Sequence, residues 1–560
     1  MDQKKRVVVL GAGFAGMFAA RHLRKLAPRD VEIELINEVN YFIFQPLLPE
    51  VAAGNINAAD AVSPLRLLLP GVKFRLGSVR SVDFAHNRLQ VMDDTARTLV
   101  YVPFDHLVLA PGQAADLSRF PGLSEHAYTM KTLADAYRLR NQVINCLEKA
   151  DVTDDSEYKR RLLTFVVVGA GFSGVETSGE MKDLIDGSLK FYPRIARSEI
   201  RMILVEYADR ILPELPEELA RYTARELTAR GIETWLKTAL KTASAHAVEM
   251  ADGRVVETET VAATIGTAPH KLVRDLGLPM QWGRIKVEPT MRVPGHENIW
   301  AVGDAALIPL PKRRQDKEER FAAPTAQFAV REAACLARNV VATLIGRPLE
   351  AFDYKPKGSF ASIGCHKAVA VLLGVRLSGT FAWLVWRMFY LAMLPGFATK
   401  VRVLINWMLD HFFTRTTVQI QVPSRDSARY LRFRKGDQVF KPNNLADGFY
   451  TVISGSFDAT IGAGTPVPYH RVLGPGDHFG ERVLFGDDLR TGSVDALEDS
   501  EVLFIERDDF RRFAAGFKIL DDYFRDYIVR NFPEHMWPES LRGTEKKAAA
   551  GGGQPKAPRM

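Results

Sequence analysis

Two glycine loops, each directly behind a valine-rich run, restrict the fold more than anything else in this chain. Residues 6–16 read RVVVLGAGFAG and residues 164–174 read TFVVVGAGFSG. In each, a short β-branched strand leads through G-x-G-x-x-G into a helical run, the pattern of a parallel sheet with crossover helices. Gly11 permits the tight turn, Gly13 lets backbone approach a pyrophosphate, and Gly16 lets helix and strand pack closely. Gly169, Gly171 and Gly174 repeat these roles. An anion there would meet amide donors at the positive end of a helix. The strand after the first loop ends at Asn37 and Glu38, either of which can accept from a ribose hydroxyl. The strand after the second ends at Glu206, whose charge favours a free 2′-hydroxyl and repels a 2′-phosphate.

Two such folds in series imply two dinucleotides facing each other, a resident flavin and a visiting nicotinamide. Residues 298–306, NIWAVGDAA, form a strand ending in Gly303-Asp304, with Asp304 placed to meet a ribityl or phosphate group. Residues 106–112, HLVLAPG, give a further strand and turn, so that Ala110 and Gly112 join the flavin set. Gly266 and Glu176 are counted with the nicotinamide set.

At 560 residues the chain needs more than one core. Its net charge of +7 suits an anionic surface without choosing one; no nucleic-acid partner is expected. Cys146, Cys335 and Cys365 form no CxxC, and neither a disulfide framework nor a metal site is expected. The start MDQKKRVVVLGAG carries no signal-peptide pattern, and no run of 18 apolar residues suggests a spanning helix. The final GTEKKAAAGGGQPKAPRM is low-complexity and expected to be disordered.

The order of these motifs resembles the two-dinucleotide-fold flavoproteins. Within them NYFIFQPLLPEVAAG (residues 40–54), PTAQ (324–327), GSFASIGCHKAVA, RLSGTFAWLVWR and GFATKVRVLINWMLDHFF are similar to type II NADH:quinone oxidoreductases over roughly residues 5–420. The resemblance implies bound FAD, NADH as donor and quinone as acceptor. Ala326 and Gln327 would lie by the flavin, with Gln327 on the quinone side and Glu176 near the nicotinamide–quinone junction. The family commonly has a second Gln four residues on; here it is Arg331, which could hold a quinone carbonyl or a lipid phosphate. The alternative is a soluble NADH-dependent flavoprotein that reduces a protein acceptor.

Quinones reside in lipid, so a membrane contact is expected. Val401, Leu404, Ile405, Met408, Leu409 and Phe412 form a helical stripe, with Lys400, Arg402, Asn406 and Asp410 off it. Trp383, Trp386 and Trp407, with Arg387, Lys400 and Met408, are expected at an interface with anionic lipid. The chain should therefore sit peripherally on the cytoplasmic face of a bacterial inner membrane, as a homodimer and without pumping protons.

After about residue 425 the sequence turns to short strands punctuated by glycine, as in a small β-roll. FGERVLFGDDLRTGS (479–493) resembles the phosphate cassette of cyclic-nucleotide-binding domains. That resemblance implies Phe479, Gly480, Glu481, Arg490 and Thr491 at a site for cAMP or cGMP, with Arg490 on the phosphate and Glu481 on the ribose. Val483, where Ala or Gly is usual, could crowd the ligand. The alternative is a dimerisation or recruitment module.

The expected architecture is thus α/β, with two Rossmann-like dinucleotide-binding domains, amphipathic membrane-associating helices and a C-terminal β-roll. The first part of the FAD domain runs 1–120, a linker helix region 121–159, the NADH domain 160–285 and the second part of the FAD domain 286–365. A membrane-associating region follows at 366–424, then the cyclic-nucleotide-binding-like domain at 425–535 and a tail at 536–560.

Overall fold

The computed structural model describes residues 4–93, 98–244, 246–311, 320–413, 415, 417–419, 428–433, 435–461, 469–485, 488–507, 509–511 and 518–531. The expected tail at 536–560 lies outside them. The chain forms two compact units, one of residues 1–89 with 102–420 and one of 90–101 with 421–560.

In the first unit Val7–Leu10 are buried on both faces of a parallel sheet, which is why the run is apolar without alternation. The strand order is Lys73–Leu76, Glu32–Asn37, Arg6–Leu10, His106–Leu109 and Ile299–Ala301, with every pairing parallel. Its fifth strand comes from far along the chain because a second doubly wound fold intervenes. That fold has the order Ala127–Thr129, Thr260–Ala263, Thr164–Val168, Arg201–Val205 and Ile232–Trp235, again all parallel. The stretch expected as a linker contributes its edge strand, Ala127–Thr129, and the helix Leu133–Val152. Thr132 and Asp135 close a capping box at that helix's start.

The unit ends in an antiparallel sheet, Gly358–Gly364, Lys367–Leu372 and Val375–Ser378, and two helices, Gly379–Met393 and Phe397–Phe412. Pro395-Gly396 makes the elbow between them, with Gly396 at φ +87°. Ser63 fastens this elbow, its hydroxyl donating to the Pro395 carbonyl at 3.1 Å. Among the described residues no helix is long and apolar enough to cross a membrane.

The second unit is a β-roll of two four-stranded antiparallel sheets. One has the order Ala428–Phe433, Ser500–Glu506, Gly448–Ser454, His478–Phe479; the other Gln438–Phe440, Gly492–Ala496, Phe457–Ile461, Tyr469–Leu473. Tyr450, Phe457, Phe479, Val502 and Phe504 fill the space between them. The helix Lys518–Asn531 seats Phe524 and Ile528 against Phe449 and Phe510.

Candidate active site and nucleotide pocket

The two glycine loops are built alike. A Cβ on Gly16 would stand 1.9 Å from the Gly11 carbonyl oxygen, and one on Gly174 1.7 Å from that of Gly169. A Cβ on Gly11, at φ +92°, would meet the Ala110 carbonyl oxygen at 2.4 Å. The middle glycines differ: nothing lies within 4 Å of a Cβ on Gly13, and Gly171 has only a Glu214 oxygen at 3.9 Å. Both therefore face open space at the start of a helix, Phe14–Leu26 and Phe172–Ser188. That is the space a pyrophosphate needs.

The folds also separate the two candidates for the first ribose. Asn37 Oδ1 accepts from the Ala12 amide at 2.9 Å, and Glu206 Oε2 accepts from the equivalent Ala170 amide at 2.5 Å. Asn37 is thus the positional counterpart of Glu206, while Glu38 is exposed beyond the strand end. Gly303 and Asp304 open a short 3-10 turn beside Ala15. The Gly303 amide donates to Glu332 at 2.9 Å. Burial pushes the Glu332 carboxyl up to about 8, opposed by that bond and by Arg284. Burial raises Asp304 as well, against the pull of Lys131 and Arg284. Gly112, at φ +69°, has open space beside it. These loops, amides and the Gly-Asp turn fit a flavin dinucleotide.

The second fold opens into a cavity of about 660 Å³. Gly169, Glu206 and Gly266 line it, together with Arg119, Tyr207 and Arg274. Sequence reading missed the last three; Tyr207 had a signal, since it follows the strand-end acid and is 80% exposed.

On the proposed quinone side, Gln327 is fully engaged. Its amide donates to the Gly358 carbonyl at 3.0 Å, and its oxygen accepts from Tyr354 at 2.6 Å and the Lys357 amide at 2.9 Å. It fixes the entry into the strand Gly358–Gly364. Arg331 stacks over Tyr354 at 5.0 Å and donates to the Gln327 carbonyl at 3.2 Å. Ala326 begins the helix Ala326–Leu344, capped by Thr325. Glu176 is buried, accepts from the Ser362 amide at 3.2 Å and is pushed up to about 8, by burial first and by Glu180 and Glu50 next.

The membrane expectation divides. Phe397, Val401, Leu404, Ile405, Met408, Leu409 and Phe412 are all exposed, a continuous apolar outer face on the second helix. Lys400 is half-buried and donates to the Ala392 carbonyl at 2.8 Å. Trp386, Arg387 and Trp407, expected at a lipid interface, instead point inward. Trp386 and Trp407 are buried, Trp407 Nε1 donates to Glu50 at 3.0 Å, and Arg387 lies between the Trp383 and Trp407 rings at 3.9 and 4.7 Å. The reason is helical phase: Thr399, Val403 and Trp407 form the seam opposite the exposed stripe. Trp383 is half-buried against the His366 ring.

In the second unit Gly480, Glu481, Arg490 and Thr491 converge on one pocket with only about 70 Å³ of interior room, well under the volumes of small-molecule sites. Arg490 donates to Asp447 at 2.8 Å and to the Gly448 carbonyl at 2.6 Å, lies over the Phe440 ring at 4.2 Å, and keeps a buried Nε with no partner. A Cβ on Gly480, at φ +85°, would strike its guanidinium at 2.6 Å. Glu481 is buried and its carboxyl is raised by that burial. Phe479 stacks on Tyr450 at 4.8 Å and belongs to the core as much as to the pocket. Val483 is fully buried beside Phe449 and Phe485. Arg471 and Tyr527, hydrogen-bonded at 2.9 Å, also wall the pocket; Tyr527 comes from the last helix and had no motif to reveal it.

A family model described as pyridine nucleotide-disulphide oxidoreductase matches residues 5–333. The NDH2 C-terminal domain matches 357–416 and the cyclic nucleotide-binding domain 430–516. The chain is 32% identical over 431 residues to the type II NADH:quinone oxidoreductase Ndh of Mycobacterium tuberculosis, covering 74% of this chain and 89% of that protein. It is 30% identical over 418 residues to the demethylphylloquinone reductase NdbB of Synechocystis sp., covering 73% and 96%. Among solved structures, NDH2 from Plasmodium falciparum in complex with NADH superposes with a TM-score of 0.69 at 22% identity, over 74% of this chain and all of that one. The sulfide:quinone oxidoreductase of Aquifex aeolicus gives 0.56 at 19%, over 74% and 96%.

Proposed function

The chain belongs to the pyridine nucleotide-disulphide oxidoreductases, and within them to the type II NADH:quinone oxidoreductases, and from that premise we propose a membrane-peripheral, FAD-containing enzyme that carries a cyclic-nucleotide sensor. The supporting observation is the pair of glycine cradles whose middle residues, Gly13 and Gly171, face open space in two separate parallel sheets. Two dinucleotides have a place to sit.

In this reading Gly11, Gly13, Gly16, Asn37 and the Gly303-Asp304 turn hold the flavin, with Ala110, Gly112 and Ala326 lining its approach. The flavin, when bound, accepts a hydride equivalent and passes electrons on singly or in pairs. Gly169, Gly171, Gly174, Gly266 and Glu206 hold NADH, and Glu206 disfavours the 2′-phosphate of NADPH. Gln327 positions the wall of the quinone site by fixing Tyr354, Lys357 and Gly358. Arg331 offers a cation that has no carboxylate partner among the described residues. The exposed stripe Val401–Phe412 lies in the headgroup region of an anionic leaflet, on the cytoplasmic face of a bacterial inner membrane. A homodimer belongs to the same reading, through the family resemblance.

Cyclic-nucleotide control is supported by the pocket's chemistry: a buried arginine whose Nε has no partner, a buried acid in the same lining, and apolar walls. The test is NADH oxidation by the flavin-loaded, full-length enzyme with a short-chain quinone, with and without cAMP or cGMP. NADH-dependent quinone reduction that shifts with one nucleotide is the expected result. A rate indifferent to both, together with no calorimetric binding, removes the sensor from the reading. Turnover with a protein acceptor but not with quinone would remove the quinone site as well.

A further inference from the structure

The elbow Pro395-Gly396 is held from behind, where Ser63 Oγ lies 3.1 Å from the Pro395 carbonyl oxygen and 2.8 Å from Thr399 Oγ1. Its other side opens on a cavity of about 440 Å³ that is walled also by the helix Phe14–Leu26, the one that starts at the first glycine loop. Phe18 and Arg21 enter the lining from one face of that helix, and Lys25 stands one turn beyond Arg21. Val330 comes from the helix Ala326–Leu344, which packs on the same helix. Met393, Phe397 and Lys400 come from the two arms of the elbow.

The lining holds two cations and no acid. Lys400 uses one of its three N–H donors on the Ala392 carbonyl at 2.8 Å, which fixes the ammonium across the elbow and leaves two donors over. Arg21 is exposed and makes no hydrogen bond or ion pair with any described residue. Its planar fork therefore matches a phosphate without breaking an existing contact. The surroundings are electropositive too: burial first, then Arg21, Lys25 and Arg338, hold the His22 imidazole below its ordinary value. None of the helices Phe14–Leu26, Ala326–Leu344 and Phe397–Phe412 has an acid in its first turn.

Two exposed apolar rows end at this cavity. On the helix Gly379–Met393, Phe381, Leu384 and Met388 follow i, i+3 and i+7 and lead to Ala392 in the lining. On the helix Phe397–Phe412 the outer stripe begins at Phe397, which is 84% exposed and also lines the cavity. We propose that this cavity seats one anionic phospholipid, its phosphate between Arg21 and Lys400 and its chains over Phe397 and Met393. A free phosphate would leave the apolar rows uncovered, and a zwitterionic headgroup would bring a cation of its own into a basic pocket. The flavin fold then touches the bilayer itself, through the helix that begins beside Gly13, as well as through the last two helices. The inference rests on the membrane contact proposed above and adds to it a place for a single lipid.

The test uses full-length, flavin-loaded protein and vesicles of phosphatidylcholine with or without phosphatidylglycerol. Arg21→Gln with Lys400→Gln should lower co-sedimentation with the phosphatidylglycerol vesicles at least tenfold, and change it less than twofold with phosphatidylcholine alone. Arg221→Gln with Arg225→Gln, on the helix Glu217–Ala229, removes the same charge and should have less than a twofold effect. Equal losses in the two pairs would make the attraction a general one, and an unaltered first pair would leave the cavity without a lipid; either result overturns the site. Calorimetry gives a second reading that needs no vesicle. Dihexanoyl phosphatidylglycerol below its micelle concentration should bind wild type at least tenfold more tightly than glycerol phosphate or inorganic phosphate, and Arg21→Gln alone, at an exposed position, should remove that preference. Inorganic phosphate bound as tightly as the lipid, or lipid displaced by a short-chain quinone, overturns the phospholipid assignment. Wild type that binds neither kind of vesicle overturns the membrane contact and this site together, whereas wild type that binds both kinds equally overturns the site alone.

Discussion

At the scale of single residues, the glycines separate fold from ligand. Gly16→Ala drives a methyl into the Gly11 carbonyl, 1.9 Å away, and should destabilise the unit by roughly 3 kcal/mol or more. Gly13→Ala meets nothing within 4 Å and occupies the space reserved for a pyrophosphate. Its expected outcome is an unchanged thermal midpoint in flavin-stripped protein with flavin retention down about tenfold, near 1.4 kcal/mol, read from flavin absorbance per chain. Glu176 makes a second residue-scale case. Burial lifts its carboxyl to about 8, whereas an unfolded Glu titrates near roughly 4.3. The folded state therefore binds more protons between those values, and its stability is complete below the lower one and lost as pH rises through the higher. Glu176→Gln should flatten the decline in melting temperature between pH 5 and pH 9, by the order of 1 kcal/mol or more at the upper end; an unaltered slope would place the carboxyl's titration elsewhere. The glycine spacings were legible in sequence because each role follows from the missing Cβ. The pairing of Asn37 with Ala12 was not legible, since it takes the second strand's register to show that Asn37 and Glu206 are counterparts.

Elements carried a different kind of information. The periodic stripe on the helix Phe397–Phe412 was legible as an apolar face, and its residues are exposed. Periodicity does not say what the opposite seam touches, so the sequence places Trp386, Arg387 and Trp407 at lipid, whereas Trp386 is buried and Arg387 and Trp407 reach Glu50. A tryptophan beside an arginine reads the same in a headgroup region and around a buried acid. Likewise Glu176 read alone, through the family resemblance, as a residue near the nicotinamide–quinone junction, although Glu180 and Asp183 continue its line one turn at a time. The signal lay in the i, i+4, i+7 spacing, and it becomes meaningful only once Glu50 arrives from another helix. The outer stripe makes the element-scale prediction. Leu404 and Met408, 43% and 57% exposed, would together contribute roughly 2 kcal/mol or more of apolar transfer to a bilayer. Leu404→Glu with Met408→Glu should reduce co-sedimentation with anionic vesicles at least tenfold, while turnover with a water-soluble short-chain quinone persists. Retained vesicle binding would move the membrane contact off this helix.

For the whole molecule, the order of motifs carried most of the architecture. A first glycine loop, an inserted second fold and a returning Gly-Asp strand can close only if the strand Ile299–Ala301 rejoins the first sheet, and it pairs there with His106–Leu109. The start of the inserted fold was less legible, because its edge strand Ala127–Thr129 is three residues long and carries no motif. What the C-terminal unit does for the enzyme is a question about coupling. If a cyclic nucleotide alters turnover, NADH must alter nucleotide affinity by the same factor at equilibrium, whichever way the effect runs. Arg490 is the place to break that linkage. Its fork already holds Asp447 and the Gly448 carbonyl and its guanidinium packs on the Phe440 ring, so Arg490→Ala would remove these contacts and disturb the pocket as well as empty it. Arg490→Lys keeps the charge but loses the planar fork. In full-length protein with an unchanged melting temperature, it should weaken cAMP or cGMP binding at least tenfold by calorimetry and abolish the nucleotide's effect on NADH oxidation in the same titration. Binding lost while the effect persists would assign the response to a second site. Wild-type protein that binds neither nucleotide would leave the β-roll a recruitment or dimerisation module, with its pocket filled by its own arginine.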